Sequence, residues 1–318
     1  MNASSPTDGG SPVRLLARVI VENVSGCTNA WSSAFKGDLY EACIWLALDL
    51  ANIEPIFSND KVLQRFLKGE FSDEDRRPIS VRGLGGSLGI DDETTRRHVK
   101  HLVSEGLCQP RADGMIVTSA AYDRPEIQRA SITTLKMLER LIQGLEKWDA
   151  LPKKPERLAI VGNIDESGQG IETGAQRLCV MLFSEYVFKF SVEQVRVFDS
   201  NLITMTVFMD VIRENNIPFV EDDDLAIQYS RMDTPVPDTL RLPTSVRAIA
   251  RRLGFPPETV RRHVKKLMGM RLVEPRVGGL VVPTSVMERP EFVKVIADMT
   301  SWVTLMIKKV DRLSGDVS

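Results

Sequence analysis

The sequence predicts a mainly α-helical chain with small β-hairpins, built as two tandem duplicated halves with flanking helices. Three observations predict it. Residues 78–126 and 243–291 align without a gap at an offset of 165, and 22 of those 49 positions are identical. Inside each copy, two helical stretches joined by a glycine precede two short β-like runs. Outside the copies, weaker identities continue at an offset of 163: Arg14/Arg177, Leu15/Leu178, Glu22/Glu185, Val24/Val187, Leu39/Leu202, Asn52/Asn215 and Pro55/Pro218. A repeat of this kind sets the architecture of the whole chain.

Composition places the chain among ordinary globular proteins. It has 318 residues, 43% hydrophobic and 26% charged, with a net charge of −2. That balance excludes a basic coat for nucleic acid, so any such attraction must be local. No apolar run approaches the roughly 18 residues of a membrane span. Met1 to Pro12 is rich in Ser, Gly and Pro and lacks the pattern of a signal peptide. A cytoplasmic location, with association to the nucleoid, is the resulting expectation. Cys27, Cys43, Cys108 and Cys179 are far apart, as expected of reduced and mostly buried thiols. All three histidines (His98, His101 and His263) lie within the repeated unit, so a His-based triad or zinc site elsewhere is excluded. No cofactor, metal or catalytic constellation is expected, and the chain is read as a non-enzyme.

In order along the chain, residues 1–12 are expected to be disordered, 13–150 form the first half, 151–175 a linker and 176–318 the second half. Each half opens on an apolar helix (Val13–Val24; Ala175–Phe188) and continues with another (Leu39–Ala51; Leu202–Glu214). An acidic connection follows, such as Glu221-Asp222-Asp223-Asp224. After the repeated unit a long helix opens at Arg124-Pro125-Glu126 and at Arg289-Pro290-Glu291. Proline suits a first helical turn, and glutamate there favours the dipole. The linker is assigned from its Pro, Lys, Gly and Asp content. Trp45, Trp148 and Trp302 lie on apolar helical stretches and are expected to pack in the core or an interface.

The second copy of the unit is the cleaner. Ser245 can cap a helix over 246–253, Gly254 ends it with a positive φ, and Pro256-Pro257-Glu258 starts the next helix, which runs to about Met268. Small Ala250, Gly254 and buried Val260 have the spacing that lets two helices pack through a tight turn. The runs 272–276 and 280–284 flank Gly278-Gly279, a hairpin signal. Helix, turn, helix and hairpin together make a winged helix-turn-helix.

On the second helix, Val260, Val264 and Leu267 share one face, and Thr95, Val99 and Leu102 share it in copy one. The opposite face carries Arg262 flanked by Thr259 and Lys266, with Arg261, His263 and Lys265 beside it. Its counterpart is Arg97 with Thr94 and His101, and with Arg96, His98 and Lys100 beside it. Arg247 on the preceding helix, and Arg111 and Arg276 at the hairpins, complete the candidate DNA-contacting set. Arginine can bridge O6 and N7 of guanine, while Lys and Thr reach phosphates.

The run from Glu258 to Leu267 resembles the recognition helices of the winged helix-turn-helix transcriptional regulators of bacteria. The resemblance covers about fifty residues in each half and implies a sequence-specific DNA-binding regulator. Its expected partners are double-stranded DNA and a second copy of the chain. Two recognition helices in one chain would read an imperfect palindrome, or direct repeats if the halves pack head to tail. The alternatives are a tandem winged-helix protein-interaction scaffold of the chromosome-organising type, and a replication initiator.

Copy one departs from the pattern. Gly83, Gly85 and Gly86 stand where copy two has Ala248, Ala250 and Arg251, and Thr95 stands for Val260. Residues 77–111 carry six Arg/Lys against four Asp/Glu, whereas 241–276 carry ten against two. Copy two is therefore the expected electrostatic anchor. The glycine run 83–89 imitates a dinucleotide-binding loop, but no strand precedes it, and its partner in copy two reads as an ordinary helix.

Overall fold

A computed structural model describes residues 12–162, 173–199 and 201–315, with side chains through 313. The chain is mainly helical, with two small antiparallel two-stranded hairpins. The expectation for residues 1–12, apart from Pro12, lies outside the described residues, as does the middle of the expected linker.

In the first half α1 (Val13–Ala34) and α2 (Leu39–Asn52) are followed by short α3 (Glu54–Ser58) and α4 (Asp60–Leu67). Then come α5 (Val81–Leu88), α6 (Asp92–Ser104), β1 (Cys108–Arg111), β2 (Gly114–Val117) and α7 (Pro125–Lys147). A short helix, α8 (Pro155–Gly162), leads to the second half. There α9 (Gly174–Val195), α10 (Leu202–Asn215), α11 (Pro218–Glu221) and α12 (Asp223–Gln228) repeat the opening series. They are followed by α13 (Val246–Leu253), α14 (Pro257–Gly269), β3 (Glu274–Arg276), β4 (Gly279–Val281), α15 (Thr284–Met287) and α16 (Pro290–Gly315).

The local chemistry that forms the repeated unit is the same in both halves. Ser80 and Ser245 cap α5 and α13 by accepting the N–H of Gly83 (3.1 Å) and Ala248 (3.2 Å). Gly89 and Gly254 end those helices at φ 63° and 68°, the left-handed conformation glycine adopts without a Cβ penalty. Behind each hairpin a third segment makes one bridge, Ile79 to Met115 and Thr244 to Leu280. Gly114 and Gly279 face that segment so closely that a Cβ on either would overlap its backbone.

One asparagine fastens each hairpin to the helix behind it. Asn52 Nδ2 donates to the carbonyls of Arg77 (2.7 Å) and Met115 (3.0 Å), and its Oδ1 accepts the N–H of Val117 (2.7 Å). Asn215 does the same with Leu242 (2.7 Å), Leu280 (3.2 Å) and Val282 (2.8 Å). Both side chains are fully buried, where unpaired amide groups would be costly.

The halves share one of two apolar cores, the other lying almost wholly in the second half around Phe208, Ile249, Val260 and Leu267. Leu15, Ile20, Leu135 and Leu138 share one apolar cluster with Phe183, Tyr186, Met299 and Val303. The contacts between the halves are reciprocal: α1 packs on α10 as α9 packs on α2, and α16 packs on α1 as α7 packs on α9. Such an exchange of equivalent surfaces is the mark of an isologous, two-fold-like arrangement.

The stretch expected as a linker opens on a short helix. Residues 155–162 form α8, in which Arg157 is fully buried. Its guanidinium binds Glu146 (2.8 Å) from α7 and Asp311 (2.6 Å) from α16. The connection is thus pinned to both halves by a buried ion cluster.

Candidate nucleic-acid interface

In the second half α13 and α14 pack through Ile249, Ala250, Leu253, Val260, Val264 and Leu267, all buried. Pro257 opens α14, where its missing N–H costs nothing. This packing turns Arg261, Arg262 and Lys265 outward, and all three are exposed. Arg261 is engaged by Glu258 one turn earlier, and Lys266, half-buried, sits 3.2 Å from Asp199. Thr259 is half-buried. Arg262 and Lys265 have no ion-pair partner among the described residues, and neither do exposed Arg247 and Arg251 on α13. Arg251 extends the surface beyond the residues the sequence pointed to. Its neighbour Arg252 turns inward instead, bound to Asp210 (2.6 Å) and Glu214 (3.0 Å) of α10.

The hairpin tip carries Arg276, exposed, 2.9 Å from Glu274 and 3.9 Å from Asp238. Beside it Val277 is 99% exposed, an apolar side chain entirely in solvent.

Copy one presents a weaker version. Arg96, Arg97, Lys100 and Arg111 are exposed without an ion-pair partner among the described residues. The start of α6 is acidic, however, with Asp91, Asp92 and Glu93 all exposed. The Asp91 carboxylate accepts the N–H of half-buried Thr94 at 2.8 Å. His101 is hydrogen-bonded to Glu41, which raises its pKa above 6.5 with help from that carboxylate's charge. Thr94, Arg97 and His98 also line a cleft of about 300 Å³ whose far wall is Phe188 and Val192 of α9. Part of this face is therefore turned toward the protein.

His98 and His263 correct the sequence reading. They are only 7% and 5% exposed, so neither belongs to the solvent face where it was expected. The reason is helical phase: each stands three residues after a buried position (Thr95, Val260) and four before another (Leu102, Leu267). His263 Nδ1 lies 2.8 Å from Thr204 Oγ1 of α10, and His98 Nδ1 lies 3.7 Å from Asp38 Oδ2. Burial, then the charges of Arg262 and Lys266, pulls the His263 pKa below 6.5. The helical period held this signal, since His263 completes the spacing set by Val260 and Leu267.

Among the described residues, no group of three His, Cys, Asp or Glu side chains is placed to hold a metal ion. Nor, among them, is any helix long and apolar enough to cross a membrane. The four cysteines are free thiols, three of them buried.

Comparison of the chain with protein-family models, curated proteins and solved structures returns no match.

Proposed function

We propose that this chain is a non-catalytic, sequence-specific DNA-binding regulator of transcription, with two winged helix-turn-helix units in one polypeptide. The observation that carries the reading is the outer face of α13 and α14. Arg247, Arg251, Arg262 and Lys265 stand exposed there without counter-ions among the described residues, on a helix pair followed by an arginine-tipped hairpin. Unpaired guanidinium and ammonium groups on one face suit phosphate neutralisation and guanine recognition.

The α14 unit serves as the anchor. The equivalent surface of α6 opens on three carboxylates, which repel phosphate, and has Arg97 beside the α9 cleft. Reciprocal packing of the halves favours an operator that is an imperfect inverted repeat over direct repeats, because an isologous arrangement relates the two reading helices by a two-fold-like rotation. Selection of bound sequences from random DNA by the full-length protein tests this. The expected motif has two inverted half-sites, one better defined than the other. Recovery of a direct repeat counts against the two-fold reading, and no enrichment counts against DNA reading altogether.

The protein-interaction alternative has one observation on its side, the apolar Val277 projecting from the second hairpin. It predicts a protein partner that is lost on Val277→Asp, with no salt-dependent affinity for DNA.

A further inference from the structure

The two halves differ in how they treat one buried arginine. In the first half Arg76 lies 3.2 Å from Asp49 and 3.3 Å from Asp73, and the Tyr122 hydroxyl donates to Asp49. In the second half the same place in the fold holds Arg241, with Asp238 standing for Asp73 at 3.5 Å. The positions of Asp49 and Tyr122, however, are taken by Ile212 and Met287. Arg241 is 6% exposed; its Nη2 donates to Thr284 (3.1 Å), while its Nε, the atom facing Asp238, makes no hydrogen bond. The internal carboxylate of the first half is missing here.

Space is present where that carboxylate is missing. Trp31 and Trp45 of the first half are replaced by Gln194 and Phe208. A cavity of about 70 Å³ results, against about 30 Å³ at the equivalent place in the first half. Its wall includes two further arginines, Arg14 and Arg18 of α1, which are 6% and 7% exposed. Arg14 Nε and Arg18 Nη1 also lack hydrogen-bond partners. Arg14 Nη2 donates to the Met232 carbonyl (3.3 Å) and Arg18 Nη2 to that of Tyr229 (2.7 Å), and the Arg18 guanidinium lies over the Phe219 ring at 4.8 Å. Burial, then repulsion from Arg241 and Arg14, pulls Arg18 down to about 10. Burial lowers the Arg14 pKa from its usual value, and the charge of Glu288 opposes that shift. The rest of the wall is apolar and adaptable, including Phe198, Phe292, Met209 and Met299.

We infer that this cavity is a ligand site for a compact monocarboxylate. The carboxylate binds Arg14, Arg18 and Arg241, and the apolar body lies against Phe208, Phe292 and Met299. Buried guanidinium groups with unsatisfied N–H donors are costly alone, and charge-assisted bonds to one carboxylate offset that cost. The ligand then supplies in the second half the carboxylate that Asp49 supplies in the first. Because α1 belongs to the first half and the other walls to the second, the bound acid bridges the two. The inference stands on the cavity and its arginines and is independent of the nucleic-acid reading.

The test measures binding of acetate and propionate, sized for a cavity of about 70 Å³, to the full-length protein by calorimetry and thermal melting, against acetamide and propionamide. Both carboxylates are expected to bind with one-to-one stoichiometry and raise the melting temperature, with the amides at least about 10-fold weaker. Arg18→Gln, checked for fold by circular dichroism, is expected to lose about 10-fold or more in carboxylate affinity. Ile212→Asp, which restores an internal carboxylate, is expected to block binding. Failure of either carboxylate to bind, equal binding of the amides, or wild-type affinity in Arg18→Gln overturns the assignment.

Discussion

The imidazole of His263 and the hydroxyl of Thr204 meet 2.8 Å apart where α14 packs on α10, and the same hydroxyl donates to Asn201 Oδ1 at 2.9 Å. A hydroxyl that gives its proton to Asn201 must accept from Nδ1, so the proton of the neutral ring sits on Nδ1. Nε2 is buried without a partner. A second proton would have to occupy Nε2, near Arg262 and Lys266, and the folded pKa is accordingly lowered below 6.5. The unfolded chain therefore takes up this proton first as pH falls. The stabilisation is complete above about pH 6.5 and declines below it, toward the depressed folded value. His101 acts in the opposite sense, its raised pKa favouring the fold at low pH, though it is largely exposed. Thermal melting of wild type and His263→Gln between about pH 5 and 8 should show a decline on acidification that the substitution removes. Parallel profiles would contradict the buried neutral ring.

Asn52→Ala and Asn215→Ala should each cost about 3 kcal/mol, because three hydrogen bonds vanish and buried backbone groups are left unpaired. Chemical denaturation gives the value. A loss below about 1 kcal/mol would mean that each hairpin is held by its apolar contacts alone.

Arg157→Ala leaves Glu146 partly stripped of its counter-ion beneath α8. Breaking a buried ion pair from one side costs about 3–5 kcal/mol, whereas replacing the arginine with methionine keeps the packing of its stem. The expected order of stability is wild type, Arg157→Met, Arg157→Ala, read by denaturant midpoint. An unchanged midpoint in Arg157→Ala would show that the segment after α7 is not pinned.

Both arginine faces can be compared by substitution. Arg262→Ala removes a free guanidinium from the strongly basic copy, and Arg97→Ala removes one that lines the α9 cleft. The loss at Arg262 should be about 1–3 kcal/mol in binding to a selected operator and the larger of the two. Equal losses, or a greater one at Arg97, would defeat the assignment of α14 as anchor.

Much of the helical architecture was legible in the sequence, and the reasons are local. Ser245, Gly254 and Pro257 set the α13–α14 turn, and their chemistry does not depend on the rest of the fold. The far end of α1 was not legible. The apolar helix expected over Val13–Val24 continues to Ala34 through Ser25, Gly26, Thr28, Asn29, Ser32 and Ser33. Those small residues permit close packing: a Cβ on Gly26 would collide with Met137 of α7. The buried histidines were legible in principle, since their phase matches the apolar face. Charge led the reading to the surface because histidine in a basic run looks like part of the run. Arg14, Arg18 and Arg241 carried no signal, because their convergence depends on how the two halves pack.

The central claim is that α14 and its neighbours bind double-stranded DNA electrostatically and by sequence. Its most direct test is fluorescence anisotropy of labelled DNA fragments from around the protein's own gene, at two salt concentrations, with wild type and Arg262→Ala. The account predicts binding that weakens steeply with salt, with a smaller salt slope and lower affinity for Arg262→Ala. Absence of binding at low salt, or wild-type binding by Arg262→Ala, would contradict it.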